Sequence, residues 1–124
     1  MEIKFRAFIK HLNCIADVLS IDFMSKEVEV YLDDRNEIRI YPFDEVEILQ
    51  FTGLTDKKGR EIYEGYIVKS DNGESIDKIV YKQGAFYVES LKGDLLDELL
   101  SDVETEVIGN IYEGNIYELL EGSE

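Results

Sequence analysis

The chain has 124 residues, 28 acidic and 13 basic side chains, a formal net charge of −15 and a hydrophobic fraction of 44%. This length and composition suit one compact domain with a packed core and argue against global disorder. The acidic excess argues against direct binding to DNA phosphates or to anionic membranes. No apolar run approaches the roughly 18 residues of a membrane-spanning helix. Cys14, the single cysteine, cannot form an internal disulfide, so we expect a soluble cytoplasmic protein.

The N-terminal part of the chain alternates apolar and polar residues. Apolar residues occupy every second position over residues 3–9, and again on both sides of a polar segment at 33–36. This two-residue period predicts half-buried strands, and the polar segment predicts the turn of a hairpin over residues 27–41. We assign residues 1–45 to an N-terminal β lobe.

The central stretch FTGLTDKKGREIYEGYIVK, residues 51–69, predicts two tight turns. In Asp56-Lys57-Lys58-Gly59, an Asp side chain can accept from backbone amides, and Gly59 can take the positive φ that closes a hairpin. Glu64-Gly65 is the second reversal, where we also expect a positive φ at Gly65. Because short strands joined by tight turns continue to residue 91, we predict an SH3-like barrel over residues 46–91.

The C-terminal part, residues 92–124, is predicted to be an acidic helix followed by a closing strand. From Asp94 onwards it carries ten acidic residues and no Lys or Arg. Leucines at helical spacing predict a short helix over residues 95–102, and residues 106–112 return to a strand pattern. The acids indicate a solvated face, or alternatively a surface that docks on a basic partner.

Three segments together resemble one known family. They are IKFRAF near the N-terminus, QFTGLTDKKGREIYEGYIV in the centre and EVIGNIYE near the C-terminus. In this order and spacing the chain resembles the YopX family of bacteriophage and prophage proteins. The resemblance implies one YopX-like domain over residues 1–124, a mainly β fold with an SH3-like barrel, and a bacterial cytoplasm. It implies no catalytic activity. The family's usual E-G-D-I-V motif has Asp at the position of Tyr66.

No pattern in the sequence indicates catalysis or metal binding. Phosphate-binding loops, dinucleotide fingerprints and H-E-x-x-H are absent from the sequence. His11 and Cys14 lack the further ligands of a zinc site or the third group of a nucleophile, so we interpret them as packing residues. The acidic pairs at 33–34 and 44–45 do not match a calcium-binding loop. We therefore predict no catalytic residues, no metal and no organic cofactor.

The tyrosines of the predicted barrel have two interpretations. Tyr63, Tyr66, Tyr81 and Tyr87 can form an exposed recognition platform, or their rings can pack in the core. Tyr63 and Tyr66 are the interaction candidates under the first interpretation. The basic cluster of Lys57, Lys58 and Arg60 is interpreted as a solubilising turn, since it is too small to bind nucleic acid against the surrounding acids.

Three classes of function remain. The leading hypothesis is a non-enzymatic accessory protein that acts through protein contacts, with its own copies or with a host protein. The second is an acidic decoy that imitates DNA and occupies a basic host protein. The third is an enzyme of unknown class, which no motif supports. Direct DNA binding and membrane association are not expected.

The predicted helix leads to a prediction of self-association. Leu95, Leu96, Leu99 and Leu100 exceed what a short helix needs to dock on a small barrel, and burial of each is worth roughly 1.5–3 kcal/mol. We expect a homo-oligomer whose assembly is weakened by Leu96→Asp or Leu100→Asp while the fold survives. Assembly should strengthen at higher salt, because salt screens the repulsion between acidic residues. Light scattering at low and high salt tests this. A monomer under both conditions would contradict self-association, and unfolded variants would place the leucines in the core.

Overall fold

The computed structural model describes residues 2–70, 75–91, 97–99 and 105–114. These residues are mainly antiparallel β-strand, with three-residue 3₁₀ helices at Lys10–Leu12 and Phe43–Glu45. The chain divides into two compact units, Glu2–Gln50 and Phe51–Glu124. The predicted mainly β fold class is confirmed.

The N-terminal unit is an antiparallel sheet with the strand order β4-β3-β2-β1-β5. Its strands are β1 (Phe5–Ile9), β2 (Cys14–Asp22), β3 (Glu27–Leu32), β4 (Glu37–Pro42) and the first half of β5 (Val46–Thr55). The predicted alternation is confirmed in β3, where Val28, Val30 and Leu32 are buried and the residues between them are not. These three side chains pack with Ala7, Ile9, Ala16 and Val46 in one core. The predicted hairpin over residues 27–41 corresponds to β3 and β4.

The second unit contains two antiparallel ladders. Its strands are the second half of β5, β6 (Glu61–Tyr63), β7 (Tyr66–Ser70), β8 (Ile76–Lys82), β9 (Ala85–Ser90), β10 (Asp97–Leu99) and β11 (Thr105–Asn110). Phe51 and Thr55 of β5 pair with β6, and the other five strands form a sheet in the order β10-β9-β8-β7-β11. The largest fully buried side chains of this unit are Ile62, Ile67, Ile76 and Ile79. The apolar residues of β7 are therefore buried in the middle of a sheet.

The structure does not confirm the SH3-like barrel predicted over residues 46–91. Within the described residues the strands do not close on themselves, because the sheet that contains β7 ends in β10 on one side and β11 on the other, and these two strands do not pair. β7 itself pairs with β8 and with β11. β11 lies outside the predicted barrel segment, about 40 residues along the chain from β7. Turn signals and alternation identify strands, but they do not identify which distant strand occupies an edge.

The helix predicted over residues 95–102 is wrong for residues 97–99. These residues form β10, in which Asp97 pairs with Glu89 and Leu99 pairs with Tyr87. Pairing with β9 supplies the backbone hydrogen bonds that the helix would have made internally, and it covers an edge of the sheet. Leu95, Leu96 and Leu100 lie outside the described residues, so their predicted interactions stay predictions.

The turn at Gly65 requires glycine for two separate reasons. Its φ is +85°, a left-handed conformation that costs other residues roughly 1–2 kcal/mol. A Cβ at this position would also lie 2.6 Å from Cε2 of the Tyr112 ring. Hydrogen bonds hold the turn on both sides: the Gly65 amide donates to the Ile79 carbonyl, and the Gly65 carbonyl accepts from the Ile111 amide, each at 2.8 Å.

We predict that Gly65→Ala destabilises the protein more than Gly59→Ala. Gly59 has a similar φ of +82°, but a Cβ there would meet no atom within 4 Å. Gly59→Ala should therefore cost only the backbone strain, roughly 1–2 kcal/mol, whereas Gly65→Ala should add displacement of the Tyr112 ring. Chemical denaturation of both variants measures the difference, and Tyr112→Ala should remove most of it. Equal costs in the two variants would show that the ring contact is unimportant.

Candidate functional site

The central motif is organised around the carboxylate of Asp56, which directly follows β5 and is only 5% exposed. One oxygen, Oδ1, accepts from the backbone amides of Lys58 at 2.9 Å and Arg60 at 2.8 Å. The other oxygen, Oδ2, accepts from the Val107 amide at 3.0 Å and from Nε of Arg60 at 3.1 Å. Four donors use the full accepting capacity of a carboxylate. We refer to Asp56 and these four donors as the Asp56 corner.

Backbone hydrogen bonds reinforce the Asp56 corner. Within the turn, the Gly59 amide donates to the Asp56 carbonyl at 3.0 Å, and the Asp56 amide donates to the Arg60 carbonyl at 2.7 Å. The Lys57 amide donates to the carbonyl of Thr105, the first residue of β11, at 2.9 Å. The turn at 56–59 is therefore bonded to the start of β11, as well as closed on itself.

The Glu106 carboxylate contacts the three basic side chains of the turn. Its carboxylate lies 2.8 Å from Nζ of Lys58, 3.4 Å from Nη2 of Arg60 and 3.9 Å from Nζ of Lys57. The hydrogen bond and charge of Lys58, with smaller contributions from Lys57 and Arg60, lower the pKa of Glu106 below its ordinary value of 4.5. The basic cluster thus contacts β11 and is more than a solubilising turn.

The environment of Asp56 favours its ionised form. Burial alone would raise the pKa of its carboxyl group, but the amides of Val107, Arg60 and Lys58 and the charge of Arg60 together lower the pKa below its ordinary value of 3.8. A carboxylate that is ionised at neutral pH and already accepts four hydrogen bonds has no proton to donate and little capacity to accept one. Its chemistry is suited to holding the turn and β11 together.

A second connection lies at the other end of β11. Oδ1 of Asn110 accepts from the amides of Tyr112 at 2.9 Å and Glu113 at 2.7 Å, and Nδ2 of Asn110 donates to the Glu113 carboxylate. This local turn follows the Asn side-chain pattern that replaces a backbone turn. It places the Tyr112 ring against Gly65. The central motif and EVIGNIYE are thus joined at both ends of β11.

The structure confirms some of the turn and interaction residues predicted from the sequence and corrects others. The positive φ values expected at Gly59 and Gly65 are confirmed. The rings of Tyr63 and Tyr66 are only 3% and 8% exposed and lie 5.6 Å apart, so they belong to the core and do not form an exposed platform. Tyr66, at the position of the family's usual Asp, is part of this aromatic packing. Leu96 and Leu100 lie outside the described residues.

Sequence reasoning missed the contributions of β11. Glu106 and the Val107 amide lie about 50 residues from the turn that they contact, and no local pattern links them to it. The only available signal was that EVIGNIYE and the central motif belong to the same family resemblance. Two motifs kept together in one family are candidates for direct contact in the fold.

The packing interpretation is correct for Cys14, which is half-buried, and wrong for His11, which is exposed at the surface. The His11 ring meets the Tyr41 ring edge-on at 5.4 Å, and half-buried Cys14 packs against the N-terminal core. Among the described residues, no group of three or more His, Cys, Asp or Glu side chains is arranged to hold a metal ion. No helix in the described ranges is long and apolar enough to cross a membrane.

These features define a mainly β protein in which the buried Asp56 carboxylate holds the central turn and β11 together through hydrogen bonds. The family model described as YopX protein matches residues 4–121, so the chain belongs to the YopX family. The crystal structure of protein EF1440 from Enterococcus faecalis is similar, with 28% identity and a TM-score of 0.62 over 91% of this chain and 95% of that chain. A search of curated proteins found no match.

We predict that Asp56→Asn lowers the free energy of unfolding at neutral pH by roughly 2–4 kcal/mol, because an amide group leaves buried donors unpaired. The low pKa values of Asp56 and Glu106 also set the pH dependence. Their stabilisation is complete above the unfolded pKa values, near pH 4–5, and is lost as the pH falls towards the folded values.

Denaturation curves between about pH 7 and pH 3 measure this dependence. The acid-induced loss should be smaller in Asp56→Asn than in the wild type. Asp34→Asn, an exposed acid in the β3–β4 turn, is the matched control and should change stability by less than about 0.5 kcal/mol. Equal effects of the two substitutions would contradict the role of the Asp56 corner.

Proposed function

We propose that this protein is a non-enzymatic accessory protein of a phage or prophage that acts in the bacterial cytoplasm through contacts with other proteins. Membership of the YopX family and the resemblance to phage and prophage proteins support this origin. Self-association through Leu96 and Leu100 belongs to the same proposal.

The proposal rests on the observation that residues of the central motif and of EVIGNIYE hold the fold together. Asp56 accepts four hydrogen bonds, Glu106 pairs with the basic turn, and the Tyr63 and Tyr66 rings are buried. Active sites usually keep a titratable group with a shifted pKa accessible to substrate in a cleft. Here the two acids of the motif with lowered pKa values are engaged in joining the turn to β11. This arrangement supports a scaffold that presents a binding surface.

The experiment that tests the proposal compares binding with turnover. Tagged protein is expressed in a bacterial host, crosslinked in intact cells and purified, and the complex is analysed by mass spectrometry. We expect a stoichiometric complex with a defined protein, or with copies of this chain. In parallel, the pure protein is incubated with a metabolite extract of the same cells, and we expect no protein-dependent conversion.

The possible results separate the three classes of function. A time-dependent conversion that the purified protein catalyses would overturn the proposal in favour of an enzyme. A partner that binds DNA, and that DNA displaces from the complex, would identify an acidic DNA mimic instead. Protein that is recovered alone from crosslinked cells would contradict action through protein contacts.

A further inference from the structure

Strand β4 forms an edge of the N-terminal sheet, and no described strand pairs with its outer side. An edge strand presents backbone donors and acceptors that another strand can use. Ile38 and Ile40 are each 59% exposed on one face of β4. Large exposed apolar side chains at a two-residue spacing match the side-chain repeat of an added strand. The edge therefore offers backbone hydrogen bonds, and the exposed isoleucines offer apolar side-chain contacts. Strand addition uses both.

Open grooves lie beside β4 and share Ile40. One groove, of about 530 Å³, is lined by Tyr41, His11, Lys10, Asp44 and Glu45. The second, of about 130 Å³, is lined by Ile40 with Ser20, Asp22, Glu27 and Glu29, and by Val28. Successive side chains of an added strand point to opposite faces of the sheet. Both grooves adjoin the C-terminal half of β4 through Ile40, so side chains of a segment added at this edge would lie close to them.

The charge of the grooves indicates the chemistry of the occupant. The smaller groove has three carboxylates and no basic side chain in its lining. In the larger groove, Nζ of Lys10 is engaged by the Asp44 carbonyl at 3.1 Å and by the Glu47 carboxylate at 3.7 Å. The carboxylates of Asp44 and Glu45 are exposed there. Both grooves therefore favour a cationic segment.

A second copy of this chain is a poorer fit to the same edge. Residues 2–50 carry eleven acidic and six basic side chains, so two N-terminal units repel each other. The one cation of β4, Arg39, is already paired with Glu37 of the same strand, with Nη2 2.8 Å from the carboxylate. The observations favour a different protein.

The edge is held in place by bonds at its end and at the neighbouring hairpin. The Phe43 amide donates to the Lys26 carbonyl at 2.9 Å, which attaches the end of β4 to the β2–β3 turn. In that turn, Oδ1 of Asp22 accepts from the amides of Met24 at 2.9 Å and Ser25 at 3.1 Å. A preorganised edge loses little conformational freedom on binding. Pro42 lacks a backbone donor, so strand addition would end near Tyr41.

We propose that β4 binds an extended cationic segment of a partner protein by strand addition, with apolar side chains of that segment on Ile38 and Ile40 and its cationic side chains attracted by the carboxylates of the neighbouring grooves. This inference rests on the proposed function, because it assigns the surface through which the protein contacts its partner. It uses the N-terminal sheet, whereas the Asp56 corner holds the second unit together. The two parts of the molecule would thus have separate roles.

The test uses synthetic peptides as probes. The first is a capped peptide of about seven residues that alternates Lys and Val; its twin carries Glu in place of Lys. A third peptide keeps the Lys-Val sequence but is N-methylated at every residue, which removes the ladder donors of both edges. Binding is measured by fluorescence anisotropy and mapped through backbone amide shifts of the full-length, ¹⁵N-labelled protein.

We expect saturable binding of the Lys-Val peptide, with the largest amide shifts in residues 37–41. The Glu twin and the N-methylated peptide should bind at least about tenfold more weakly, and higher salt should weaken binding of the Lys-Val peptide. The double substitution Ile38→Lys and Ile40→Lys should also weaken it at least about tenfold. Ile3→Lys, at an apolar residue of the same unit that is 77% exposed, is the matched control and should change affinity less than about twofold.

Several results would overturn the inference. They are equal binding of the Lys-Val and Glu peptides, unchanged binding after N-methylation, amide shifts outside β4, or self-association through β4 in sedimentation. Mapping on the wild-type protein keeps the test decisive even if the double variant unfolds. A crosslinked complex in cells whose contacts lie away from β4 would reject this surface and leave the proposed function standing. The absence of any complex in cells would reject the proposed function itself.

Discussion

The second unit depends on a buried negative charge that must be surrounded by donors. An ionised carboxylate removed from water is strongly destabilising unless hydrogen bonds and opposite charge replace its hydration. Asp56 obtains these from its own turn, from Arg60 and from the Val107 amide of β11. No single segment supplies all of the donors. The carboxylate therefore links the conformation of the turn to the presence of β11, and a change in either is transmitted to the other.

The distribution of charge in the structure explains the composition of the central motif. The chain is strongly acidic, yet three basic residues lie within the turn that follows Asp56. They face Glu106 on the neighbouring strand, so the turn and β11 attract each other through side chains as well as backbone. Exposed ion pairs of this kind contribute little singly. Their role here is to orient the turn over the strand that the buried carboxylate already holds.

Much of the local structure could be predicted from the sequence, because local patterns determine it. The two-residue period of Val28, Val30 and Leu32 indicates a strand, and Asp56 with Gly59 indicates a turn whose side chain accepts from its own backbone. Both signals arise from neighbouring residues. The family resemblance added the expectation that distant motifs belong to one domain.

Long-range pairing could not be predicted in the same way. The leucine spacing over residues 95–100 fits a helix, but residues 97–99 pair with the edge of β9, which no local pattern reveals. The same limit applies to the contact between Asp56 and Val107, and to the arrangement of strands that replaces the expected barrel. Burial of Tyr63 and Tyr66 likewise depends on which residues surround them. The edge formed by β4 is visible only once the strand order is known.

The position of β11 along the chain has a consequence for biosynthesis. The chain is synthesised from its N-terminus, and domains begin to fold as their segments emerge from the ribosome. The N-terminal sheet needs only residues up to Gln50 of β5, so its pairing partners are all available early. The Asp56 turn obtains its bonds to β11 only after residues 105–107 are made, about 50 residues later. The molecule therefore acquires its N-terminal edge strand before the second unit is complete.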